Sequence, residues 1–216
     1  MRRDYSGLEP RRRQPWGVVA LVMLTGLAMM RNGVGGPDGP PLPAASARLT
    51  GLPSPSTSAA AVRPLPYSAA AKIRIPAIKV DAPLMDVGVD ADGWIEAPPA
   101  QDPNLAGWYQ NGISPGQSGT AVIVGHVDNN AGPAVFYGLG ALKKGNHIEV
   151  TRFDGSTAVF QVYGVEVFAK NNFPGAQVYG DTGYPELRVI TCGGGYSRTG
   201  GYDGNVVAFA RLTATR

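Results

Sequence analysis

The stretch HIEVTRFDGSTAVFQVY, residues 147–163, decides the fold class of this chain. Two strand-like runs, residues 147–153 and 158–163, flank the dipeptide Asp154-Gly155. Asp-Gly between two such runs is a strong signal of a tight β-hairpin, because the turn needs residues that tolerate positive φ. The stretch therefore predicts two antiparallel strands joined by a short turn.

Further strand-like segments lie on both sides of this hairpin. They occupy residues 72–75, 82–89, 120–124, 186–191 and 205–212. The 216 residues include 30 Gly and 19 Pro and are 44% hydrophobic, which suits short strands and turns better than a helical bundle. We expect an all-β fold, a closed β-barrel of about eight strands with few and short helices, because closure also removes exposed sheet edges.

The N-terminal region has the pattern of a membrane anchor. Residues 1–15 are basic, and residues 16–30 (WGVVALVMLTGLAMM) are apolar and carry no charge. This run is shorter than the about 20 residues of a full span, but the preceding arginines predict a cytoplasmic N-terminus and an extracytoplasmic remainder. A cleaved signal peptide is the alternative, with Ala45-Ser46-Ala47 as its cleavage site. The distance of that site from the apolar run favours an uncleaved, single-pass anchor.

A tether and one folded domain are expected to follow. Residues 31–68 are rich in Gly, Pro, Ala and Ser, so they cannot bury enough apolar surface to fold and predict a disordered tether. Residues 69–216 are long enough for a single domain with its own core. The formal net charge of +3 comes partly from the N-terminal arginines, so we expect no nucleic-acid partner.

Two residues carry the candidate chemistry. Cys192, the only cysteine, ends the strand-like run Val189-Ile190-Thr191, and His126 follows a similar run within Gly125-His126-Val127-Asp128. A thiol and an imidazole delivered by strand ends are the minimum apparatus of cysteine-nucleophile catalysis. An inert, buried thiol is the alternative for a lone cysteine in such a position.

These motifs resemble those of a known enzyme family. Ile190-Thr191-Cys192 is similar to the end of the seventh strand of the sortases, the transpeptidases that attach surface proteins to Gram-positive cell walls. The histidine block matches in order and spacing. The wider strings PGQSGTAVIVGHVD, GPAVFYGLGALKKGNHIEVTRFDG, ELRVITCGG and YDGNVVAFARL most resemble class F sortases of actinobacteria, over residues 71–212.

The resemblance implies a mechanism and its partners. Cys192 is expected to attack the carbonyl between Thr and Gly of an LPXTG-like sorting signal, forming a thioacyl enzyme. His126 is the implied acid and base. An amine, expected from a peptidoglycan precursor, then takes the acyl group, which anchors the protein to the cell wall. No cofactor is implied, and the segment 170–185 is expected to select the sorting motif.

The third functional residue departs from the family pattern. Sortases carry an arginine on the strand after the cysteine, and the corresponding position here is near Asn205. Two interpretations remain: Arg198 brings its charge into the site from the loop 193–204, or Asn205 acts as a neutral oxyanion donor. Arg211 lies toward the far end of the last strand, where we expect a solvated charge.

The remaining polar candidates have simpler interpretations. Asp128 either orients His126 as a third catalytic member or caps the turn 129–132, and the turn is favoured. His147 is expected to be an exposed residue at a strand entry. Two histidines and one cysteine offer no zinc-type spacing, so we expect no metal.

Two rival functions remain. An L,D-transpeptidase of peptidoglycan is also a secreted, all-β cysteine enzyme, but the Ser-His-Gly-Cys type motif of that family is absent. A membrane-anchored, non-catalytic sortase-like module that binds sorting peptides is the rival of another class, and the amide at position 205 supports it.

Overall fold

The computed structural model describes residues 39–49 and 62–216. The predicted anchor, residues 16–30, lies outside the described residues. None of the helices within the described ranges is long and apolar enough to cross a membrane.

The described residues form ten strands and a few short helices. Eight strands close into a barrel in the order β1-β2-β3-β4-β9-β10-β8-β7, and β5 pairs with β6 in a small separate sheet. The strands are β1 Ala70–Ile75, β2 Val80–Val87, β3 Ala106–Tyr109, β4 Gly119–Gly125, β5 Asp128–Asn129, β6 Gly132–Pro133, β7 His147–Arg152, β8 Thr157–Ala169, β9 Pro185–Ser197 and β10 Gly201–Thr215. The helices are α1, Gly175–Tyr179, and single 3₁₀ turns at Ala45–Ala47, Pro76–Ile78, Leu139–Ala141 and Lys170–Asn172. The expected all-β barrel of eight strands is confirmed.

The hairpin that decides the fold class joins β7 to β8. Its register pairs His147 with Gln161 and Thr151 with Thr157. Gly155 has φ +83°, a conformation that costs glycine little, and the Asp154 carboxylate accepts hydrogen bonds from the backbone N–H and the hydroxyl of Ser156. The Asp-Gly pair therefore closes the turn as its residue types predict.

Side-chain alternation builds two apolar layers on the barrel wall. Ile123 and Val189 point into the barrel interior, where Trp108 and Phe160 are also buried. Val122 and Ile190, the chain neighbours of Ile123 and Val189, belong to a second, outer cluster, which also contains Val178, Val207 and Phe209. Since successive side chains of a strand point to opposite faces, Cys192 shares the outer face with Ile190, two residues earlier.

Two strand pairs are parallel, and one of them positions the site. β4 and β9 are adjacent and parallel, with Val124 beside Ile190. Because parallel strands run in the same direction, the segment that follows β4 lies beside the part of β9 that contains Cys192.

Part of the segment assigned to the tether is folded onto the barrel. Ala47 is buried in the core, and the backbone N–H of Leu49 donates to Glu166 Oε1 at 2.6 Å. A Cβ atom added to Gly164 would lie 2.2 Å from the Leu49 side chain, so glycine permits this close approach. The described residues from Gly39 onward belong to one compact unit, and the folded region therefore begins before the expected boundary at residue 69.

Candidate active site

Strand register brings three of the sequence-predicted residues together. Cys192 on β9 pairs directly with Asn205 on β10. His126 follows Gly125, the last residue of β4, and lines the same cavity as Cys192. Thr191 Oγ1, next to Cys192, donates to the Gly125 carbonyl, next to His126, at 2.8 Å. His126, Cys192 and Asn205 thus form a row, with His126 just past the end of β4, Cys192 on β9 and Asn205 on β10.

The row lines a cavity of about 480 Å³. Its lining is largely apolar and includes Val124, Ile190 and Ile95. Cys192 is a free cysteine of intermediate burial and is one of the residues that line the cavity. An apolar pocket with a few convergent polar groups is the usual form of a site that binds a small ligand or a short peptide.

The imidazole of His126 is held by a backbone carbonyl. His126 Nε2 lies 2.7 Å from the Pro98 carbonyl oxygen. A carbonyl can only accept, so Nε2 carries the proton and donates it. In the neutral ring Nδ1 is then unprotonated and free to take a proton. Catalytic cysteine-histidine sites use a third group to orient the histidine, and the Pro98 carbonyl can orient His126 in this way.

Asp128 has a different partner from either one that the sequence suggests. Its Oδ2 atom accepts a hydrogen bond from the Tyr202 hydroxyl at 2.5 Å. In the turn, Asn129 rather than Asp128 accepts the backbone N–H of Ala131. Burial raises the pKa of Tyr202, and the Asp128 carboxylate adds to this effect, so the hydroxyl remains a proton donor at neutral pH.

The other sequence candidates lie elsewhere. Arg198 is exposed in the turn between β9 and β10 and is not among the residues that line the cavity. Arg211 is not the solvated charge that we expected, since its guanidinium pairs with the buried Glu186 carboxylate at 2.8 Å. His147 begins β7, opposite Gln161, and is exposed as expected.

Comparison with known proteins identifies the family. The family model of the sortase domain matches residues 73–213. The chain belongs to the sortase family. No curated protein sequence matches the chain.

Solved sortase structures share this fold at low sequence identity. Sortase A of Listeria monocytogenes is 17% identical with a TM-score of 0.51, over 69% of this chain and 90% of that one. The SrtA sortase of Actinomyces oris is 20% identical with a TM-score of 0.52, over 74% and 89%. A lid mutant of sortase A from Corynebacterium diphtheriae is 20% identical with a TM-score of 0.53, over 67% and 70%. These similarities establish the fold, and the likeness to class F stays a prediction.

Three cavity residues of this sortase were not singled out from the sequence. Trp94 lines the cavity from the β2–β3 connection, and Lys170 and Tyr179 line it from the β8–β9 connection. Among the described residues that line the cavity, Lys170 is the only lysine or arginine, and none is a carboxylate. Lys170 begins the segment 170–185, which was expected to select the sorting motif. That expectation was the one indication in the sequence that Lys170 lies at the site.

A buried arginine supports the wall that contains Tyr179. Arg188 Nε donates to the Val178 carbonyl of α1 at 3.0 Å, and its guanidinium lies 4.5 Å from the centre of the Phe209 ring. Arg188 Nη2 pairs with Glu186 at 2.6 Å. Thr120 Oγ1 donates to the Gly180 carbonyl at 2.8 Å, just after α1. Side chains of the barrel wall therefore hold the C-terminal end of this short helix.

Proposed function

We propose that this sortase is a cysteine transpeptidase that cleaves LPXTG-like sorting signals and transfers the acyl group to an amine. The observation that carries the proposal is that His126, just past the end of β4, and the paired residues Cys192 and Asn205 line one largely apolar cavity. A nucleophile, a base and a polar donor at one cavity are the parts that acyl transfer needs.

In acylation, His126 Nδ1 takes the proton of the Cys192 thiol, and the resulting thiolate attacks the threonine carbonyl carbon of the sorting signal. A C–S bond forms, the C–N bond to glycine breaks, and the leaving amine takes a proton from His126. Because the Pro98 carbonyl holds the proton on Nε2, Nδ1 is the nitrogen that gives and takes protons in this step.

In transfer, an amine attacks the thioester carbonyl carbon. The attacking nitrogen gives a proton to His126, a C–N bond forms and the Cys192 sulfur leaves. Water in place of the amine gives hydrolysis by the same steps. The amine of a peptidoglycan precursor is the acceptor that fits a cell-envelope enzyme.

Asn205 is the better placed of the two candidates for stabilising the oxyanion. Opposite residues of an antiparallel pair have Cβ atoms about 4.5–5.5 Å apart, and Asn205 is opposite Cys192. Its amide N–H groups can donate to the oxygen of the tetrahedral intermediate. Removing one such donor commonly lowers kcat by about 10²–10³-fold, so Asn205→Ala should show a loss of this order. Arg198→Ala should lower kcat less than about threefold if the amide fills the role.

Membrane attachment belongs to the same proposal. The basic residues 1–15 and the apolar residues 16–30 anchor the chain with its N-terminus in the cytoplasm. The catalytic unit then acts outside the cell, where secreted sorting signals and cell-wall precursors are found.

Mass spectrometry of residues 39–216 incubated with an LPXTG-type peptide tests the activity. We expect a covalent acyl adduct on Cys192, and cleavage that both Cys192→Ala and His126→Ala abolish. His147→Ala is the matched control, because the only other histidine lies outside the cavity. Cleavage that survives in Cys192→Ala would contradict the proposal.

A non-catalytic peptide-binding module is the second candidate. The observation in its favour is Asn205, an amide where the family has an arginine. Peptide binding by Cys192→Ala and wild type alike, with no adduct on the wild type, would support this candidate and exclude the first.

A further inference from the structure

The segment that contains His126 is held by two neighbouring elements. On one side is the β2–β3 connection, where the Pro98 carbonyl accepts from the His126 ring and the Ala100 carbonyl accepts from Asn129 Nδ2 at 2.9 Å. On the other side is the β9–β10 hairpin, where Tyr202 donates to Asp128. Asp128 is two residues after His126, so its bond acts close to the imidazole.

Backbone pairing alone does not hold His126 to the strand of the nucleophile. The β4–β9 ladder ends at Val124 and Ile190, and the Thr191 hydroxyl adds one bond at Gly125. From residue 126 onward the backbone instead bonds to its own loop, as in the bond from the Phe136 N–H to the His126 carbonyl. Beyond residue 125, a side-chain bond, from Tyr202 to Asp128, ties this loop to the β9–β10 hairpin.

Tyr202 is well placed to set that distance. It is on β10, three residues before Asn205, and pairs across the hairpin with Tyr196, four residues after Cys192. The two rings are 5.1 Å apart between centroids. Tyr202 is half-buried, whereas Tyr196 is 67% exposed. A hydroxyl that donates to a carboxylate forms a charge-assisted bond, which is stronger than a neutral one.

We propose that the Asp128–Tyr202 hydrogen bond is a latch that positions His126 relative to Cys192. Both latch residues are positioning residues, since neither lines the cavity. The inference rests on the proposed function for its kinetic consequence, while the position of the imidazole can be measured without any substrate.

The kinetic test uses full-length protein in detergent and an LPXTG-type peptide. Tyr202→Phe removes the donor and keeps the ring, and Asp128→Ala removes the acceptor. We expect each to lower kcat about tenfold, with KM within about twofold, because small misplacement of a catalytic group affects the chemical step. The double variant should be no slower than either single one, since the two residues act through one bond. Asp128→Asn keeps an acceptor oxygen and should restore most of the rate.

Tyr196→Phe is the matched control. It removes a hydroxyl from the ring that contacts Tyr202 but leaves the latch in place, so kcat should stay within about twofold of wild type, as for other exposed substitutions. Equal losses in Tyr196→Phe and Tyr202→Phe would overturn the latch, because the effect would then belong to the ring pair.

The substrate-free test measures the imidazole directly. The chain has two histidines, so carbon-13 NMR of their ring Cε1–H groups gives two signals, and His147→Gln assigns them. Tyr202→Phe should shift or broaden the His126 signal and leave the His147 signal unchanged. If Tyr202 only stabilises the fold, Tyr202→Phe lowers Tm but changes neither the His126 signal nor the kcat of the folded protein. That result would overturn the latch. If wild type forms no acyl adduct, the proposed function fails, and the ring signal alone decides the latch.

Discussion

Neutralising Glu186 should destabilise this protein more than any comparable surface change. The Glu186 side chain is fully buried, and both of its oxygens are engaged. Oε2 accepts from Arg188 at 2.6 Å and from the Tyr163 hydroxyl at 2.9 Å, and Oε1 accepts from Arg211 at 2.8 Å. Glu186→Gln keeps the shape of the side chain and removes the charge that balances two guanidinium groups.

The magnitude follows from the burial of Arg188. Its side chain is 0% exposed, whereas that of Arg211 is 22% exposed and keeps contact with water. Breaking a buried ion pair costs about 3–5 kcal/mol because a charge is left uncompensated. The Val178 carbonyl and the Phe209 ring still stabilise the Arg188 guanidinium, so we expect the lower end, about 3 kcal/mol. At about 2–4 °C per kcal/mol for a chain of this size, Tm should fall by about 6–12 °C.

Urea denaturation measures this loss, with Glu149→Gln as the matched control. Glu149 also pairs with two arginines, Arg74 and Arg216, but their side chains are 56% and 67% exposed. Exposed pairs contribute about 0–1 kcal/mol, so the control should change little. A loss below about 1 kcal/mol for Glu186→Gln, equal to that of the control, would refute the assignment of Arg188 as a charge that depends on Glu186.

Three further predictions concern pH, the N-terminal segment and the cavity wall. Burial raises the pKa of Tyr163. The contribution of its hydroxyl to folding stability is therefore complete below about pH 10, where an unfolded tyrosine ionises. Above that pH the free energy of unfolding should fall by up to about 1.4 kcal/mol per pH unit. Tyr163→Phe should flatten this alkaline decline in urea titrations, and an unchanged slope would contradict it. Gly164→Ala should lower the free energy of unfolding by about 1–3 kcal/mol, because the added methyl group overpacks against Leu49. Adding Leu49→Ala should recover most of that loss, and no recovery would show that the segment 39–49 does not pack there. Lys170→Glu should raise KM about fivefold for peptides with an acidic residue and leave KM unchanged for neutral peptides, because an exposed ion pair between Lys170 and the peptide contributes about 1 kcal/mol. Equal effects on both kinds of peptide would exclude a charge contact.

The strand pattern could be predicted because it depends on local sequence. Asp154-Gly155 fixes the β7–β8 turn, alternation of polar and apolar residues locates β1, and strand-like apolar runs locate β4 and the central parts of β9 and β10. The predicted loop 193–204 was wrong in its extent, since β9 continues to Ser197 and β10 begins at Gly201. Glycines conceal these ends because they have low strand propensity, while ladder pairing such as Tyr196 with Tyr202 forms through the backbone.

The polar contacts around His126 could not be predicted from sequence. The acceptor for its ring is a backbone carbonyl 28 positions away, and every residue has such a carbonyl. Tyr202 and Asp128 are 74 positions apart, and neither residue type signals the other. Two strand ends predicted a thiol and an imidazole as candidate partners, but the parallel pairing of β4 and β9 that brings these ends together could not be predicted from the two segments.

The barrel core determines how accurately the row of site residues is placed. Ile123 and Val189 face inward, while Val124, Ile190 and Val207 face outward into the second cluster. A slip of one residue in either strand pair would turn the apolar side chains to the wrong layer, so burial fixes the register. Cys192 and Asn205 are placed accurately for the same reason, because they lie within paired strands. His126 lies one residue beyond the end of β4 and is therefore the member of the row that needs bonds of its own, which the Pro98 carbonyl and the Asp128–Tyr202 latch supply.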